Sequence, residues 1–279
     1  MSDAQQFRTR SLLERLADAV PRGGPFAGFR RRLKPWFERR MAAFGGGLLC
    51  ELPGGETIRI DPAYRHITWN PIELEAFRAA VSPGDVVIEA GANVGAYTVA
   101  FGKWVGTTGR VIAFEPDPTA CAGLRRHVAL NNLEPVVTVV PAAMTDGAQP
   151  TVKFAIFGAS GISRVVDGGA SGSASVRDVK AVSLDAYCAA HGLAPAVVKV
   201  DVEGAELGVL RGGRRVLAAS ARTQLFVEMH PALWPAIGVS AADIRTECER
   251  LGREIEPLAG VAGDPLAAEG ICLRLRPRA

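Results

Sequence analysis

VVIEAGANVG, residues 86–95, is the most informative segment of this sequence. Its first five residues are apolar and mostly β-branched, apart from Glu89, which is typical of a buried parallel strand. The run stops at Gly91, and from Gly95 onward apolar residues recur at helical spacing. A strand, a glycine turn and a helix place main-chain N–H groups against a ligand. Alternatively, the two glycines only form a tight turn in another kind of α/β protein, because a glycine pattern alone is weakly specific.

A second strand is predicted over residues 110–114, RVIAF, and Glu115 follows it directly. A carboxylate at the tip of the second strand of such a unit can accept hydrogen bonds from both hydroxyls of a ribose. The two strands together therefore predict a cofactor that contains a nucleoside and lies across their neighbouring ends.

The residues of the turn distinguish between two kinds of cofactor. A dinucleotide site has the pattern G-x-G-x-x-G, but here Asn93 takes the place of the middle glycine, and its side chain would crowd a pyrophosphate. S-adenosylmethionine contains no phosphate. Glu89, Gly91 and Asn93 suit its amino acid end, and Glu115 suits its ribose. We therefore favour S-adenosylmethionine as the cofactor.

Length and composition indicate one large domain, or one domain with an extension, because the chain has 279 residues and 48% of them are hydrophobic. The five cysteines are scattered and show no C-x-x-C spacing, which favours reduced thiols in a cytoplasm over a disulfide scaffold or a zinc site. We find no apolar run of membrane-spanning length and no targeting segment, and so we expect a cytoplasmic protein without a transmembrane segment. The abundance of Arg, Ala and Gly is typical of a GC-rich bacterial genome.

The amino-terminal part is distinctly basic. Residues 1–44 contain ten Arg and Lys against four Asp and Glu, although the net charge of the whole chain is only +3. Helical spacing of apolar and aromatic residues predicts a helical, basic extension over residues 1–46, ahead of a main domain over residues 47–279. We favour packing of its aromatic stripe on the main domain, and the alternative is contact with an anionic partner or a membrane face.

Strand and helix patterns alternate along most of the main domain. The remaining strands are predicted near residues 136–140, 197–200, 225–227, 254–258 and 271–275. Repeated strand–helix units indicate a Rossmann-like, doubly wound, mostly parallel sheet of seven strands, in which we expect one of the last two strands to be an antiparallel edge strand.

An insert interrupts the alternation at residues 151–182. Strand-like segments at residues 152–157 and 176–182 flank a Gly/Ser-rich stretch. We interpret the insert as a lid or substrate loop, or alternatively as a variable surface loop without a role.

Ligands of such sheets bind outside the carboxyl ends of the strands. Five charged residues lie at or just beyond the ends of four predicted strands: Glu89, Glu115, Asp201, Glu228 and His230. The loop after the third strand contains Ala143, where an adenine ring can lie on small apolar residues. Asp146 in that loop accepts from the adenine amino group or only forms a turn with Gly147.

Five motifs occur in a distinctive order: EAGANVG at 89–95, FEP at 114–116, SLD at 183–185, KVDVEGAE at 199–206 and VEMH at 227–230. Over residues 72–230 they resemble the FkbM family of S-adenosylmethionine-dependent methyltransferases. The family usually has Asp at position 89, so Glu is a conservative departure. The resemblance implies methyl transfer, most often to a hydroxyl oxygen of a sugar or secondary metabolite, and thus a small hydroxylated acceptor. The cofactor contacts that we expect are Glu89, Gly91, Asn93, Gly95, Glu115, Pro116, Ala143 and Asp146.

Such a methyl transfer needs an aligned acceptor and the removal of one proton. The candidate bases and catalytic residues are Asp201, Glu228 and His230. Alternatively, Asp201 and Glu228 ligate a divalent metal such as Mg²⁺, with His230 beside them. Asp201 can also be read as a helix cap, and we interpret Glu203 and Glu206 as at least partly structural, near a helix N-terminus.

Two other classes of protein remain open at this point. A nicotinamide-dependent (NAD) oxidoreductase is disfavoured by Asn93 and by the lack of a Tyr-x-x-x-Lys pair. A non-catalytic binding protein that keeps the fold is disfavoured because Glu115 and Asp201 are present. We expect no nucleic-acid substrate, because the main domain is mildly acidic and has no stripe of basic and aromatic residues.

Overall fold

The structure is a computed structural model that describes residues 46–52, 55–156, 163–166, 175–219 and 222–278. The predicted helical extension over residues 1–46 lies outside them, except for its last residue. Among the described residues, we find no helix with the length and apolar character needed to cross a bilayer.

The described residues form thirteen strands and seven α-helices. The strands are β1 (Leu48–Glu51), β2 (Thr57–Ile60), β3 (Val86–Ala90), β4 (Arg110–Phe114), β5 (Val137–Val140), β6 (Ala143–Thr145), β7 (Thr151–Ile156), β8 (Arg164–Val165), β9 (Ser175–Ser183), β10 (Val197–Val200), β11 (Gln224–Met229), β12 (Arg253–Pro257) and β13 (Ile271–Pro277). The α-helices are α1 (Pro71–Ala80), α2 (Ala96–Val105), α3 (Pro118–Leu130), α4 (Leu184–His191), α5 (Glu206–Gly212), α6 (Arg214–Ala219) and α7 (Ala241–Arg250).

A seven-stranded sheet has the strand order β12-β13-β11-β10-β3-β4-β5. Strands β11, β10, β3, β4 and β5 pair with one another in parallel. The predicted Rossmann-like, mostly parallel sheet is thereby confirmed. One detail was wrong: the antiparallel strand is β13, which lies between β11 and β12 and not at the edge.

Both faces of this sheet are covered, as the apolar strand sequences require. Val87 and Val111 on one face pack in a cluster with Phe101 of α2. Ile88 and Ile112 on the other face belong to a second cluster, which includes side chains from α5 and α7. Each fully buried aliphatic side chain contributes roughly 1.5–3 kcal/mol to folding, so the two clusters hold the central strands and their carboxyl ends in fixed positions.

The insert forms a second sheet together with β6, which precedes it, in the order β6-β9-β7-β8. Strands β7 and β9, which the sequence predicted, pair antiparallel, whereas β6 pairs parallel with β9. Sequence reasoning placed residues 143–145 in a loop, because a three-residue strand leaves no periodic pattern. Most of the Gly/Ser-rich stretch lies outside the described residues.

The helix N-terminus that we expected near Glu203 and Glu206 lies at the second of these residues. Glu203 and Gly204 both have left-handed backbone angles, with φ of 51° and 99°. An α-helix cannot include this conformation, so α5 starts at Glu206. Four residues, 202–205, thereby remain as a turn between Asp201, which follows β10, and the helix.

Candidate cofactor and catalytic site

A cleft of about 650 Å³ lies at the carboxyl ends of β3, β4 and β10. Six of the residues predicted for cofactor binding or catalysis line it: Gly91, Asn93, Glu115, Pro116, Ala143 and Asp201. Phe154 of β7 and Val165 of β8 also line the cleft, so the second sheet forms one of its walls.

The floor of the cleft depends on Gly91. Its φ is 82°, and a Cβ atom at this position would lie 1.6 Å from the carbonyl oxygen of Asp201. Only glycine can therefore let the ends of β3 and β10 approach so closely. Asn93 in the same turn adopts a left-handed backbone, with φ of 49°, which Asn tolerates better than most residues.

Glu115 lies at the end of β4 with its carboxylate held by main-chain donors. Its Oε2 accepts from the N–H of Asn93 at 2.7 Å, and its Oε1 accepts from the N–H of Asp117 at 2.8 Å. Burial raises the pKa of Glu115 to about 7. Each oxygen of an ionised carboxylate can accept a further hydrogen bond, so the donor set fits the hydroxyls of a ribose.

Asp117 connects the second sheet to this end of the cleft. Its Oδ1 caps α3 by accepting from the N–H of Thr119 at 2.7 Å, and its Oδ2 accepts from the hydroxyl of Ser163 at 3.1 Å. Ser163 itself lines the cleft. The insert is thus attached to the helix that follows Glu115.

Glu89 does not line the cleft, which corrects the expectation that it faces the amino acid end of a cofactor. It is 1% exposed, and its Oε2 accepts from the hydroxyl of Thr98 at 2.5 Å. Its Oε1 lies 3.8 Å from Nζ of Lys199. Burial raises the pKa of Glu89 to about 7. The side chain belongs to the interior of the sheet.

Two further predicted cofactor contacts, Gly95 and Asp146, are also absent from the cleft lining. Gly95 has φ of 88°, and an added Cβ atom would lie 2.4 Å from Cδ1 of Leu124, so this glycine is explained by close packing at the start of α2. Asp146 is exposed, and its Oδ1 accepts from the N–H of Ala148 at 2.9 Å. Asp146 therefore forms the turn that was the alternative interpretation.

The predicted catalytic residues come together beside the cleft in what we call the His230 cluster, which consists of Asp201, Glu203, Glu206, Glu228 and His230. Nε2 of His230 lies 3.3 Å from Glu203, 3.8 Å from Glu228 and 4.0 Å from Asp201. Asp201 and Glu203 also line the cleft, whereas Glu228 and His230 do not. The cluster is thus joined to the cleft through Asp201 and Glu203.

Glu206 is a member of the cluster that sequence reasoning treated as partly structural. Its Oε1 lies 2.9 Å from Nδ1 of His230, and its Oε2 accepts from Nε1 of Trp234 at 2.8 Å. Glu206 lies in the first turn of α5, as the dipole interpretation required. Its pairing with His230 could not be read from the sequence, since the two residues are 24 positions apart.

The close carboxylates change the proton affinity of the cluster. Burial raises the pKa of Glu228 to about 8 and that of Glu203 to about 7. Burial lowers the pKa of His230, but the hydrogen bond to Glu206 and the charges of Glu203 and Asp201 outweigh this effect and raise it to about 9. The surrounding carboxylates therefore favour the protonated form of His230.

Lys199 is a second residue that sequence reasoning missed. Its ammonium group donates to Oδ2 of Asp201 at 3.1 Å and lies 5.1 Å from the ring centroid of Tyr97. Burial lowers the pKa of Lys199, but the charges of Asp201, Glu89 and Glu228 raise it above its ordinary value. The available signal was a lysine within the buried strand VVKV.

Three side chains of the cluster could hold a metal ion: Asp201, Glu203 and His230 each offer one ligand atom, and these atoms lie within 4.8 Å of one another. Two carboxylates and one imidazole form a donor set that binds divalent metals. Glu203, and not the predicted Glu228, completes this set with Asp201.

Comparison with known proteins relates this geometry to a family. The model of the Methyltransferase FkbM domain matches residues 89–255. The ribosomal protein L11 methyltransferase of Carboxydothermus hydrogenoformans is 31% identical over 115 residues, which are 38% of this chain and 37% of that protein. The chain thus spans little more than a third of the length of this relative.

Solved structures with similar folds include two methyltransferases. A SAM-dependent O-methyltransferase from Thermotoga maritima has a TM-score of 0.47 and 12% identity, covering 84% of this chain and 78% of that one. A methyltransferase from Geobacter sulfurreducens has a TM-score of 0.43 and 14% identity, covering 97% of this chain and 98% of that one. Because the FkbM model matches more than half of the sequence, this chain belongs to the FkbM methyltransferase family, whose cofactor is S-adenosylmethionine.

Proposed function

We propose that this chain transfers the methyl group of S-adenosylmethionine to a hydroxyl oxygen of a sugar or another small metabolite. The observation that carries the proposal is the arrangement of Gly91, Asn93, Glu115 and Asp201 around one cleft at the ends of three neighbouring strands. Parallel sheets bind ligands at this edge, and the family assignment names the cofactor.

Different residues of the cleft suit different parts of the cofactor. Glu115 suits the ribose hydroxyls, because its carboxylate lies at the tip of β4 and has acceptor capacity left. Pro116 and Ala143 line the same cleft and suit the adenine, while Gly91 and Asn93 suit the amino acid end. When bound, S-adenosylmethionine supplies an electrophilic methyl group on a sulfonium.

The acceptor hydroxyl must lose a proton, and the His230 cluster offers the groups that take it. Asp201 is the first candidate base, because it is the predicted catalytic residue that lines the cleft. Nε2 of His230 lies 4.0 Å from Oδ1 of Asp201 and 3.8 Å from Oε1 of Glu228, so a proton taken by Asp201 can be passed on as His230 releases its own proton to Glu228. A positioned base contributes roughly 10²–10⁴-fold to the rate, and alignment of the two reactants adds to it.

A divalent metal such as Mg²⁺ at the cluster is the alternative way to lower the pKa of the hydroxyl. Asp201, Glu203 and His230 offer the closest donor set, and Glu228 lies beside it. Methyl transfer that is abolished by a chelator and restored by Mg²⁺ or Mn²⁺ would favour this route. Transfer that continues in the chelator would favour a protein base.

The first experiment is calorimetric titration of the purified chain with S-adenosylhomocysteine and, separately, with NAD. We expect micromolar binding of S-adenosylhomocysteine alone, lost in Glu115→Ala and kept in Glu134→Ala, which removes an exposed carboxylate. Binding of NAD instead would support an oxidoreductase. Binding of neither ligand would support a non-catalytic protein that keeps the fold.

The second experiment identifies the acceptor with S-adenosylmethionine that carries a labelled methyl group. A panel of sugars and hydroxylated metabolites is expected to take up label that is lost in Asp201→Asn. An RNA and a protein sample belong in the same panel, because label on either of them would contradict a small-molecule acceptor. We also propose a cytoplasmic location, which the five scattered, buried cysteines support.

A further inference from the structure

Lys199 occupies an unusual place for a charged residue, in the middle of the central sheet. Strand β10 pairs with β3 so that Lys199 is directly opposite Glu89. Both side chains are almost fully buried. A buried ammonium group needs a partner of opposite charge, and here two carboxylates lie within reach.

The two carboxylates are not equivalent partners. Nζ of Lys199 donates a hydrogen bond to Oδ2 of Asp201 at 3.1 Å, whereas it lies 3.8 Å from Oε1 of Glu89. Glu89 also has a hydrogen bond from Thr98. The shorter contact of Lys199 is thus the one with Asp201, which follows strand β10 and lines the cleft.

This contact determines which oxygen of Asp201 is available. Lys199 engages Oδ2, while Oδ1 lies 4.0 Å from Nε2 of His230. The side chain of Asp201 is 25% exposed, but that of Lys199 is only 3% exposed. Lys199 therefore contacts the Asp201 carboxylate from the buried side and leaves the other side of this carboxylate open to the cleft.

Lys199 is itself held in place by a chain of contacts from α1 and α2. The ring of Tyr97 lies 5.1 Å from Nζ, and the hydroxyl of Tyr97 donates to Oε2 of Glu73 at 2.8 Å. Nδ2 of Asn70, the N-cap residue of α1, donates to the other oxygen of Glu73 at 2.7 Å. A cation over an aromatic face is attracted to it, so these contacts fix the direction of the ammonium group.

The strand order shows which part of the cofactor Asp201 faces. In the order β10-β3-β4-β5, Glu115 follows β4 and marks the ribose, and Ala143 comes after β5 on the adenine side. Asp201 follows β10, on the opposite side of Gly91. The half of the cofactor that carries the methyl group must then extend toward Asp201.

We propose that Lys199 is a positioning residue that fixes the Asp201 carboxylate at the methyl-bearing end of bound S-adenosylmethionine. The inference rests on the proposed function. In the alternative, Lys199 serves only as the counter-ion of Glu89 and has no effect on the cleft. The two roles predict different results when Glu89 and Lys199 are replaced together.

Cofactor analogues test the proposal without an identified acceptor. Sinefungin has an amine in place of the methyl sulfonium, so a carboxylate fixed at that point forms a charge-assisted hydrogen bond with it. S-adenosylhomocysteine lacks both groups. The ratio of the two Kd values from calorimetry therefore reports whether a carboxylate is correctly placed. We expect wild type to prefer sinefungin and Asp201→Asn to lose that preference about tenfold or more, since hydrogen bonds to charged groups are among the strong ones.

The decisive variant is the double substitution Glu89→Gln with Lys199→Met, which removes one buried charge of each sign and leaves the net charge unchanged. Its matched control is Glu89→Gln alone, which keeps the contact between Lys199 and Asp201. We expect the double variant to bind S-adenosylhomocysteine like wild type and to lose the preference for sinefungin about tenfold. The control should keep that preference, and Lys199→Arg should recover part of it.

Three results would overturn the proposal. A double variant with the wild-type preference would show that Lys199 only balances Glu89. Loss of S-adenosylhomocysteine binding in the double variant, with circular dichroism unchanged, would show that Lys199 acts on the cofactor site as a whole. Equal affinity of wild type for both analogues would show that the Asp201 carboxylate does not lie at the methyl-bearing end of the cofactor. If wild type binds neither analogue, the proposed function itself fails.

Discussion

Nδ1 of His230 lies 2.9 Å from Oε1 of Glu206, and the Glu206 side chain is completely buried. A carboxylate on one ring nitrogen fixes the orientation of an imidazole and directs its other nitrogen. Here the other nitrogen, Nε2, is directed at Glu203, Glu228 and Asp201. The position of the whole His230 cluster therefore depends on Glu206.

Removal of the Glu206 carboxylate is expected to destabilise the protein strongly. In Glu206→Ala, the N–H of Gly204, Nε1 of Trp234 and the charged His230 lose a common buried acceptor. Breaking a buried charged pair from one side costs about 3–5 kcal/mol. Urea denaturation followed by circular dichroism measures the change in the free energy of unfolding.

The matched control for this prediction is Glu249→Ala, because Glu249 is an exposed glutamate of α7. We expect a change within about 0.5 kcal/mol, since exposed ion pairs contribute little. Similar losses of stability in both variants would contradict the role assigned to Glu206.

Close packing at Gly91 leads to a second prediction. Gly91→Ala should lose roughly 3 kcal/mol or more of stability, because a left-handed backbone and a clash with the Asp201 carbonyl oxygen both oppose the new Cβ atom. Gly192→Ala is the control, since Gly192 has φ of 62° and open space around it. It should lose only about 1–2 kcal/mol. Equal losses would show that the approach of β3 to β10 is not tight.

The strands that define the cleft could be predicted from the sequence with correct limits. Residues 86–90, 110–114 and 197–200 are short apolar runs bounded by glycine, proline or charged residues, and periodicity detects such runs. The charged residues after these runs then had to meet at one edge of a parallel sheet. This reasoning placed Glu115 and Asp201 on the same cleft.

Other features depend on contacts between distant residues and could not be predicted. The pairing of β6 with β9 joins segments almost forty positions apart, and a three-residue strand carries no pattern of its own. The direction of the Glu89 side chain was also beyond sequence reasoning, because a strand residue next to a turn can face the cleft or the interior. Its partners, Thr98 and Lys199, come from other elements.

A third prediction concerns the pH dependence of cofactor binding. The pKa of Glu115 is about 7 because the group is buried, and ribose hydroxyls donate to the ionised form. The affinity for S-adenosylhomocysteine should therefore fall as the pH falls through 7, by about tenfold between pH 8 and pH 6. Calorimetry at several pH values measures this change. Glu115→Gln should bind weakly with a flatter pH profile, and an equally steep profile in that variant would assign the effect to another group.

The last prediction concerns stability at alkaline pH. The pKa of His230 is raised from 6.5 to about 9, chiefly by Glu206 and Glu203 against the opposing effect of burial. A folded-state pKa above the unfolded one means that the stabilisation is fully present below pH 6.5 and is lost as the pH rises through 9. Glu203 and Glu228, whose pKa values are raised to about 7 and 8, change stability in the same direction.

The free energy of unfolding from urea denaturation should thus decrease between pH 6.5 and pH 9.5, by an amount of the order of 1 kcal/mol or more. In His230→Gln the decrease should be smaller, while replacement of the exposed His191 by Gln should leave it unchanged. An undiminished decrease in His230→Gln would show that His230 does not bind its proton more tightly in the folded chain.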